Sequence, residues 1–165
     1  MPKTMEDLKT AFAGESQANR KYTAFARKAD EEGFHQVARL FRAAAHGETI
    51  HALRHFRNMG EIKSTQENLQ AAIAGETYEF TEMYPAFVKD AQAESNKPAE
   101  KGFADANSVE KIHAGLYKEA LESLGKPGEE FDYYVCPVCG YVHAKGAPER
   151  CPVCNTPGSK FEKIS

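Results

Sequence analysis

Two glutamate–histidine pairs in the chain have a spacing that suits metal binding. Glu48 precedes His51 by three residues, and Glu110 precedes His113 by the same distance. Residues at positions i and i+3 of an α-helix lie on one side of it, so each pair presents a carboxylate and an imidazole together. Four-helix bundles use such ligands on facing helices to hold pairs of iron or manganese ions. The two pairs therefore predict part of a binuclear metal site.

Three further glutamates fit the same site. Glu15 and Glu76 are 61 positions apart and the two Glu-x-x-His pairs are 62 apart, so the chain reads as two similar helical hairpins. Glu79 follows Glu76 by one helical turn and brings the carboxylates to five. Burying that much negative charge without cations costs many kcal/mol. Five carboxylates with two imidazoles favour iron or manganese, although any single Glu-x-x-His pair also fits a solvated helix face.

The four cysteines form a second candidate site near the C-terminus. They occur as two Cys-x-x-Cys pairs separated by eleven residues. Two such pairs make a tetrahedral set of four thiolates that holds zinc or iron. Zinc would only stabilise the module, whereas iron could also carry electrons, and the spacing does not distinguish the two metals. The predicted ligands are Cys136, Cys139, Cys151 and Cys154.

Long helices are required to bring the glutamates and histidines together. The sequence before Leu124 is rich in Ala, Glu, Lys and Leu, which favour helices. Turn signals at Gly33, at residues 58–60 and at residues 95–98 divide it into four segments of about 25 residues each. Four long segments with short connections predict an all-α four-helix bundle with antiparallel helices, and the ligand pattern is that of ferritin-like bundles. Pro85 lies inside the third segment, where we expect it to kink the helix.

The last part of the chain has a different composition. Pro, Gly, Cys and aromatic residues are frequent from Phe131 onward, and so short a segment cannot bury a core without a metal staple. We therefore expect three parts: a helical bundle with the binuclear metal site over residues 1–124, a linker over residues 125–132, and a small metal-stapled β/loop domain over residues 133–165.

The charge balance argues against some classes of function. The chain has 21 Lys and Arg against 24 Asp and Glu, a net charge of -3, which is unsuited to nucleic-acid binding. No apolar run approaches the ~18 residues of a membrane span, and the first residues lack the apolar stretch of an export signal. Cysteine pairs in a chain without an export signal indicate metal binding rather than disulfides. We expect a cytoplasmic protein without nucleic-acid or membrane partners.

These two sets of residues resemble those of rubrerythrin, a family with a ferritin-like di-iron bundle followed by a rubredoxin-like domain. The resemblance covers nearly the whole chain. Its most specific feature is Glu79, since that family carries an additional glutamate three residues after the ligand of its third helix. Tyr22 and Tyr84 match tyrosines that line the family's site. The C-terminal matches beyond the four cysteines are Tyr133, Val135, Gly140, Tyr141, Pro152, Lys160 and Phe161.

One residue departs from the family's pattern. Asn155 stands where glycine usually follows the fourth cysteine. Asparagine tolerates the left-handed backbone conformation better than most residues, so we expect the turn to survive. The potential of the bound iron depends on N–H···S contacts and is expected to shift.

The resemblance also implies a role for each candidate ligand. Glu48 and Glu110 would bridge two irons, and Glu15 would bind one of them. Glu79 or His51 would be the exchangeable ligand of that iron, depending on its oxidation state. The remaining implied assignments are Glu76 and His113 on the other iron, Tyr22 and Tyr84 beside bound oxygen species, and Cys136, Cys139, Cys151 and Cys154 on one electron-relay iron.

The function implied by the resemblance is the reduction of hydrogen peroxide to water in defence against oxidative stress. Electrons would pass from the cysteine-bound iron to the di-iron site. We find no glycine-rich dinucleotide motif, so a separate rubredoxin or NAD(P)H-dependent reductase would supply them. Leu124 lies eleven residues beyond His113, about 16 Å along a helix. We therefore expect the module to lie far from its own di-iron site and to serve the partner's, in a head-to-tail or swapped homodimer.

Three other functions remain consistent with these residues. A ferroxidase or iron store would account for the bundle but leave the four-cysteine module unexplained. An oxidase that consumes dioxygen would use the same residues on a different substrate. A structural zinc-ribbon protein would account for the cysteines but leave the glutamates on the inner helix faces unexplained.

Overall fold

The structure is a computed structural model that describes residues 2–165. It contains the four helical segments that the sequence predicts, and the third of them is divided by a short π-helical turn. The chain folds as two compact units, one ending at Lys63 and the other running from Ser64 to Ser165. None of the helices within residues 2–165 has the length and hydrophobicity that crossing a lipid bilayer requires. The helical elements are α1 (Lys3–Glu31), α2 (His35–Asn58), α3 (Thr65–Tyr78), the π-helical turn (Glu79–Met83), α4 (Tyr84–Ala93) and α5 (Lys97–Ser123).

The first unit is a hairpin of α1 and α2 with an interface of small side chains. Among its described residues, the buried ones are five alanines and one asparagine, which lets the two helices approach closely. Asn19 donates side-chain hydrogen bonds to the Ala45 carbonyl and the Thr49 hydroxyl, both at 2.7 Å. Leu40 and Ile50 stay more than half exposed. The hairpin alone therefore has only a thin apolar core.

In the second unit, α3, the π-helical turn and α4 pack against α5. Ser64 begins α3 with a capping box: its hydroxyl accepts from the Glu67 N–H, and the Glu67 carboxylate accepts from the Ser64 N–H. The disturbance expected at Pro85 takes the form of the π-helical turn. The Tyr84 N–H donates to the Glu79 carbonyl five residues back, and α4 then has Pro85 in its first turn. A missing N–H is harmless at that position.

The C-terminal module is a small three-stranded antiparallel sheet. Tyr133 pairs with Ala144 on one side and with Ile164 on the other, so the strand that it begins lies in the middle. A Cβ atom at Gly158 would overlap the Pro148 carbonyl oxygen, so only glycine fits this close approach of two backbone segments. The strands are β1 (Tyr133–Val135), β2 (Val142–Ala144) and β3 (Glu162–Ile164), in the order β2-β1-β3.

The module packs against α5 of its own unit. Val109 on α5 is 2% exposed and lies in one apolar cluster with Cys136 and Cys151. One helical turn further on, His113 Nε2 is 3.2 Å from the Gly140 carbonyl oxygen. The expectation that the module lies far from its own chain's His113 was therefore wrong. That expectation assumed that the chain continues away from His113 after the end of α5. Instead, the chain reverses direction after α5, and the module packs back along this helix.

Replacing Ser64 with alanine tests the capping box. The variant lacks the hydroxyl that accepts from the Glu67 N–H, and we expect it to lower the free energy of unfolding by about 1 kcal/mol. Ser108→Ala is the matched control, because that hydroxyl bonds to the Ala104 carbonyl inside α5 and caps no helix. Urea unfolding followed by circular dichroism compares the two variants, and equal losses would contradict the assignment.

Candidate metal centres

The first candidate ligand group lies on the hairpin of α1 and α2. His51 Nδ1 is 3.0 Å from Glu48 Oε2 and 3.9 Å from Glu15 Oε1. One donor atom from each of the three residues lies within 4.8 Å of the others, close enough for one ion to contact all three. Glu15 belongs to α1 and the other two ligands to α2, so the packing of the hairpin sets their register.

The second candidate group lies on α3 and α5 and has the same composition. His113 Nδ1 is 2.9 Å from Glu110 Oε2 and 3.7 Å from Glu76 Oε1, and the three donor atoms again lie within 4.8 Å of one another. Burial and the neighbouring Glu110 charge raise the pKa of Glu76. Two carboxylates held this close repel each other, so the group fits a cation. Carboxylate oxygens together with imidazole nitrogen suit iron.

The two ligand groups belong to a wider structural repeat. Each half of the helical part also contains three aromatic rings that pack against one another as a triangle. Each ring in the first half has a counterpart 62 positions later in the second half. The ring centroids are 6.4, 6.2 and 5.6 Å apart in the first half and 6.1, 6.3 and 5.5 Å apart in the second. The repeat predicted from the spacing of the ligands thus includes the aromatic side chains of both halves as well. The triangles consist of Tyr22, Phe25 and Phe41 and of Tyr84, Phe87 and Phe103.

The repeat is interrupted at the π-helical turn. Glu15 and Glu76 are 61 positions apart, whereas Tyr22 and Tyr84 are 62 apart, so the second half has one more residue between its glutamate and its tyrosine. A π turn holds one residue more than an α turn, so it absorbs the insertion without moving Tyr84 out of its equivalent position. Glu79 is the first residue of this turn.

Glu79 and the two tyrosines lie outside both groups of three donor atoms. Burial, followed by the Glu76 charge, raises the pKa of Glu79. Burial also raises the pKa of Tyr84, followed by the charges of Glu110, Glu79 and Glu76. Glu79 and Tyr84 therefore share the electrostatic environment of the second group. Tyr22 occupies the equivalent place in the aromatic triangle of the first half.

The four cysteine sulfurs form a third group, in the C-terminal module. Cys136 Sγ is 3.5 Å from Cys154 Sγ, and Cys139 Sγ is 3.5 Å from Cys151 Sγ, whereas a disulfide bond is ~2 Å long. Burial raises the pKa of Cys139. Burial acts the same way on Cys154, but hydrogen bonds led by that of Thr156 outweigh it and bring the pKa to about 6. Thiols in such different environments are deprotonated together when a metal binds them.

Each Cys-x-x-Cys pair is followed by a residue in the left-handed conformation. Gly140 has φ 83° and Asn155 has φ 63°. The Gly140 N–H donates to the Cys136 carbonyl at 3.0 Å, and the Asn155 N–H donates to the Cys151 carbonyl at 2.9 Å. The conformation predicted for Asn155 is therefore confirmed, and the two turns match despite the absence of glycine at the second.

One hydrogen bond joins the cysteine module to the second ligand group. His113 Nδ1 lies 2.9 Å from Glu110 Oε2, and Nε2 lies 3.2 Å from the Gly140 carbonyl oxygen, which can only accept, so Nε2 is the donor when this hydrogen bond is made. Gly140 directly follows Cys139, so a single residue, Gly140, lies between a predicted thiolate ligand and the hydrogen bond to a predicted imidazole ligand. The spacing of residues in the sequence could not reveal this contact, because it joins positions 27 apart in different elements.

Comparisons with known families agree with both parts of the chain. Residues 6–121 match the family model described as rubrerythrin, and residues 134–162 match the rubredoxin-like domain of rubrerythrin. Rubrerythrin from Porphyromonas gingivalis is 39% identical, with 98% of this chain and 90% of that protein aligned. Nigerythrin from Nitratidesulfovibrio vulgaris is 38% identical, with 96% of this chain and 85% of that protein aligned.

Solved structures of nigerythrin are also similar. Its mixed-valence and fully reduced, all-ferrous states each align with 98% of this chain and 86% of their own, at 38% identity and a TM-score of 0.60. The predicted fold class, a ferritin-like helical bundle followed by a rubredoxin-like domain, is confirmed. The predicted cofactors are confirmed too: a carboxylate-bound di-iron pair and one iron held by four cysteines. The chain belongs to the rubrerythrin family.

Proposed function

We propose that the chain is a non-haem di-iron peroxidase that reduces hydrogen peroxide to water. The observation that carries the proposal is the hydrogen bond between His113 and Gly140, which links the cysteine module to a group of candidate di-iron ligands. An iron store has no use for a contact with an electron-relay centre, and a zinc module could not pass electrons through it. Membership of a family of oxidoreductases supports the same choice.

Ten of the eleven proposed ligands belong to the three donor groups, and the eleventh, Glu79, lies outside them. Glu48 and Glu110 would hold both irons, and Glu15 would hold one of them with Glu79 or His51 as its exchangeable ligand. Bound iron supplies Lewis acidity and one electron per ion to the peroxide. The remaining proposed ligands are Glu76 and His113 on the other iron and Cys136, Cys139, Cys151 and Cys154 on the relay iron.

Side chains beside the ligands are proposed to manage protons. Reduction of one peroxide molecule to two waters takes up two electrons and two protons. Glu79 has a raised pKa, so it holds a proton more readily than an exposed carboxylate does and can deliver it to a leaving oxygen. The raised pKa of Tyr84 keeps its hydroxyl protonated, so it can donate a hydrogen bond to bound peroxide. Tyr22 is proposed to do the same from the equivalent position in the first half.

Electrons are proposed to leave the cysteine module through His113. The path runs from Cys139 through the peptide group to Gly140 and across the hydrogen bond to the imidazole. Val138, beside Cys139, is 68% exposed and offers an apolar contact for an external donor. We propose a rubredoxin or an NAD(P)H-dependent reductase in that role, in a cytoplasm whose reducing conditions favour metal-bound thiolates over disulfides. The functional unit is proposed to be a homodimer.

Anaerobic reduction followed by two equivalents of hydrogen peroxide tests the proposed reaction, because the three reduced irons of one chain supply three electrons and each peroxide takes two. We expect the visible spectrum of the oxidised cysteine-bound iron to return rapidly, with two electrons consumed per peroxide. The same reduced protein exposed to dioxygen is the control, and we expect it to reoxidise more slowly. Reoxidation by dioxygen but not by peroxide would make the chain an oxidase. Iron-replete protein without visible absorption would contradict the electron relay.

Glu79→Ala tests the additional carboxylate. We expect peroxide turnover to fall by roughly 10- to 100-fold through loss of an acid–base group and exchangeable ligand, while iron stays bound to the two three-residue groups. Glu82→Ala is the matched control, because Glu82 lies in the same π-helical turn but is exposed. Stopped-flow reoxidation gives the rates, and iron content with circular dichroism reports folding. Equal turnover by the two variants would contradict a role for Glu79.

A further inference from the structure

The cysteine module contacts one of the candidate iron ligands of its own unit through a hydrogen bond. His113 Nε2 lies 3.2 Å from the carbonyl oxygen of Gly140, which belongs to the turn after the first Cys-x-x-Cys pair. We propose that metal binding by the four cysteines strengthens iron binding at Glu76, Glu110 and His113, because the metal-bound module fixes the orientation of this imidazole. The inference goes beyond the proposed function, since it requires the two metal sites but not peroxide as the substrate.

The hydrogen bond prepares the imidazole of His113 to bind a metal ion. A carbonyl oxygen can only accept, so the proton of a neutral imidazole must be on Nε2 when the bond is made. Nδ1 then has a free lone pair, and it lies 3.7 Å from Glu76 Oε1 and 2.9 Å from Glu110 Oε2. Loss of such a bond to a metal-binding histidine lowers metal affinity by about 10- to 100-fold. The Gly140 carbonyl is therefore suited to position His113 for iron.

The turn that carries the first two cysteines also fixes the position of Gly140. The φ of Gly140 is 83°, and its N–H donates to the Cys136 carbonyl at 3.0 Å. The Cys136 N–H in turn donates to the Tyr141 carbonyl at 2.9 Å. Cys139 directly precedes Gly140 in the chain. A metal ion held by Cys136 and Cys139 would close this turn, so the position of the Gly140 carbonyl depends on the metal.

The module has few other interactions that would keep this turn in place. Its strands have three residues each, and its most buried side chains are Cys136 and Cys151, at 1% and 3% exposure. The apolar cluster beside α5 is built around these same thiols. A segment of this size without a core of its own is ordered by its metal. We therefore expect the empty module to loosen and to release His113.

Apolar contacts with α5 complete the connection between the two sites. A Cβ atom built on Gly140 would lie 4.0 Å from Val109 Cγ1, and Val109 is 2% exposed. Ile112, which directly precedes His113, packs against the same cluster as the cysteines. Packed side chains and hydrogen bonds of this kind can carry energetic coupling between two sites. All of these residues belong to the second compact unit.

The coupling would match the retention of iron to the supply of electrons. A chain whose cysteines are empty has no relay metal, and it would also bind iron weakly at Glu76, Glu110 and His113. Coupling between two binding sites is reciprocal. Iron at these three ligands must therefore strengthen metal binding by the cysteines by the same factor.

Zinc at the cysteines separates metal occupancy from electron transfer, because zinc orders the module but carries no electrons. Full-length chains with iron, zinc or no metal at the cysteines are compared, the last as Cys136→Ser with Cys151→Ser. Anaerobic competition with a chelator gives the affinity of the helical ligands for iron(II), and circular dichroism checks the helices. We expect equal affinity with iron or zinc in the module, and an affinity about 10- to 100-fold lower without either.

The same chains provide the reciprocal measurement on the wild-type sequence. Iron(II) at the helical ligands should slow the removal of zinc from the cysteines by a chelator. An empty module that leaves the iron affinity unchanged would overturn the proposal, as would zinc removal that does not respond to iron. Coupled binding in a chain that does not reduce peroxide would support the proposal and reject the proposed function.

Val109→Ala tests the coupling with every ligand intact. Alanine favours the helix, so we expect α5 to persist while the turn at Gly140 loses its apolar neighbour. The affinity of the helical ligands for iron(II) should fall, whereas the metal at the cysteines should be retained. Val138→Ala is the matched control, because Val138 lies in the module but is 68% exposed. Equal iron affinity in the two variants would overturn the proposed path.

Discussion

Carboxylates brought together on a helical seam repel one another unless a cation lies between them or one of them takes up a proton, and the candidate ligand groups are organised around this constraint. Burial and the nearby Glu110 raise the pKa of Glu76, so the apoprotein holds its second ligand group under electrostatic repulsion. The packing of α3 and α5 fixes the backbones from which these side chains project. Iron binding thus relieves a repulsion that folding creates, and metal affinity and stability are linked in the same residues.

The position of the cysteine module follows from a different contact, the burial of Val109. This side chain on α5 packs among the metal-binding thiols, and it precedes His113 by four residues, close to one helical turn. The apolar contact therefore fixes the position of the module along the axis of α5, so that the Gly140 carbonyl lies beside the His113 imidazole. An ordinary hydrophobic contact in this way positions the link on which electron transfer is proposed to depend.

The parts of the structure that were predictable from sequence depend on local spacing. Glu48 and His51 share a helix face because residues at i and i+3 always do so. Asn155 follows a Cys-x-x-Cys pair, and the turn after such a pair requires a residue in the left-handed conformation. The return of the module along α5 was not predictable, because nothing local in the sequence specifies the direction of a linker. In the sequence, the only sign of the π-helical turn is that Glu15 and Glu76 are 61 positions apart whereas Tyr22 and Tyr84 are 62 apart. This difference can be interpreted as an insertion only when the structure shows that the two aromatic triangles correspond. The roles of individual ligands remain predictions.

The one-residue insertion at the π-helical turn also has a consequence for the two metal positions. Each half otherwise supplies the same group, one glutamate and one Glu-x-x-His pair. The turn begins at Glu79, a carboxylate that the first half lacks at this position, so the halves become chemically distinct. Irons bound by chemically distinct halves would differ in reduction potential. One carboxylate on a shifted backbone register would therefore be sufficient to make the two metal positions inequivalent.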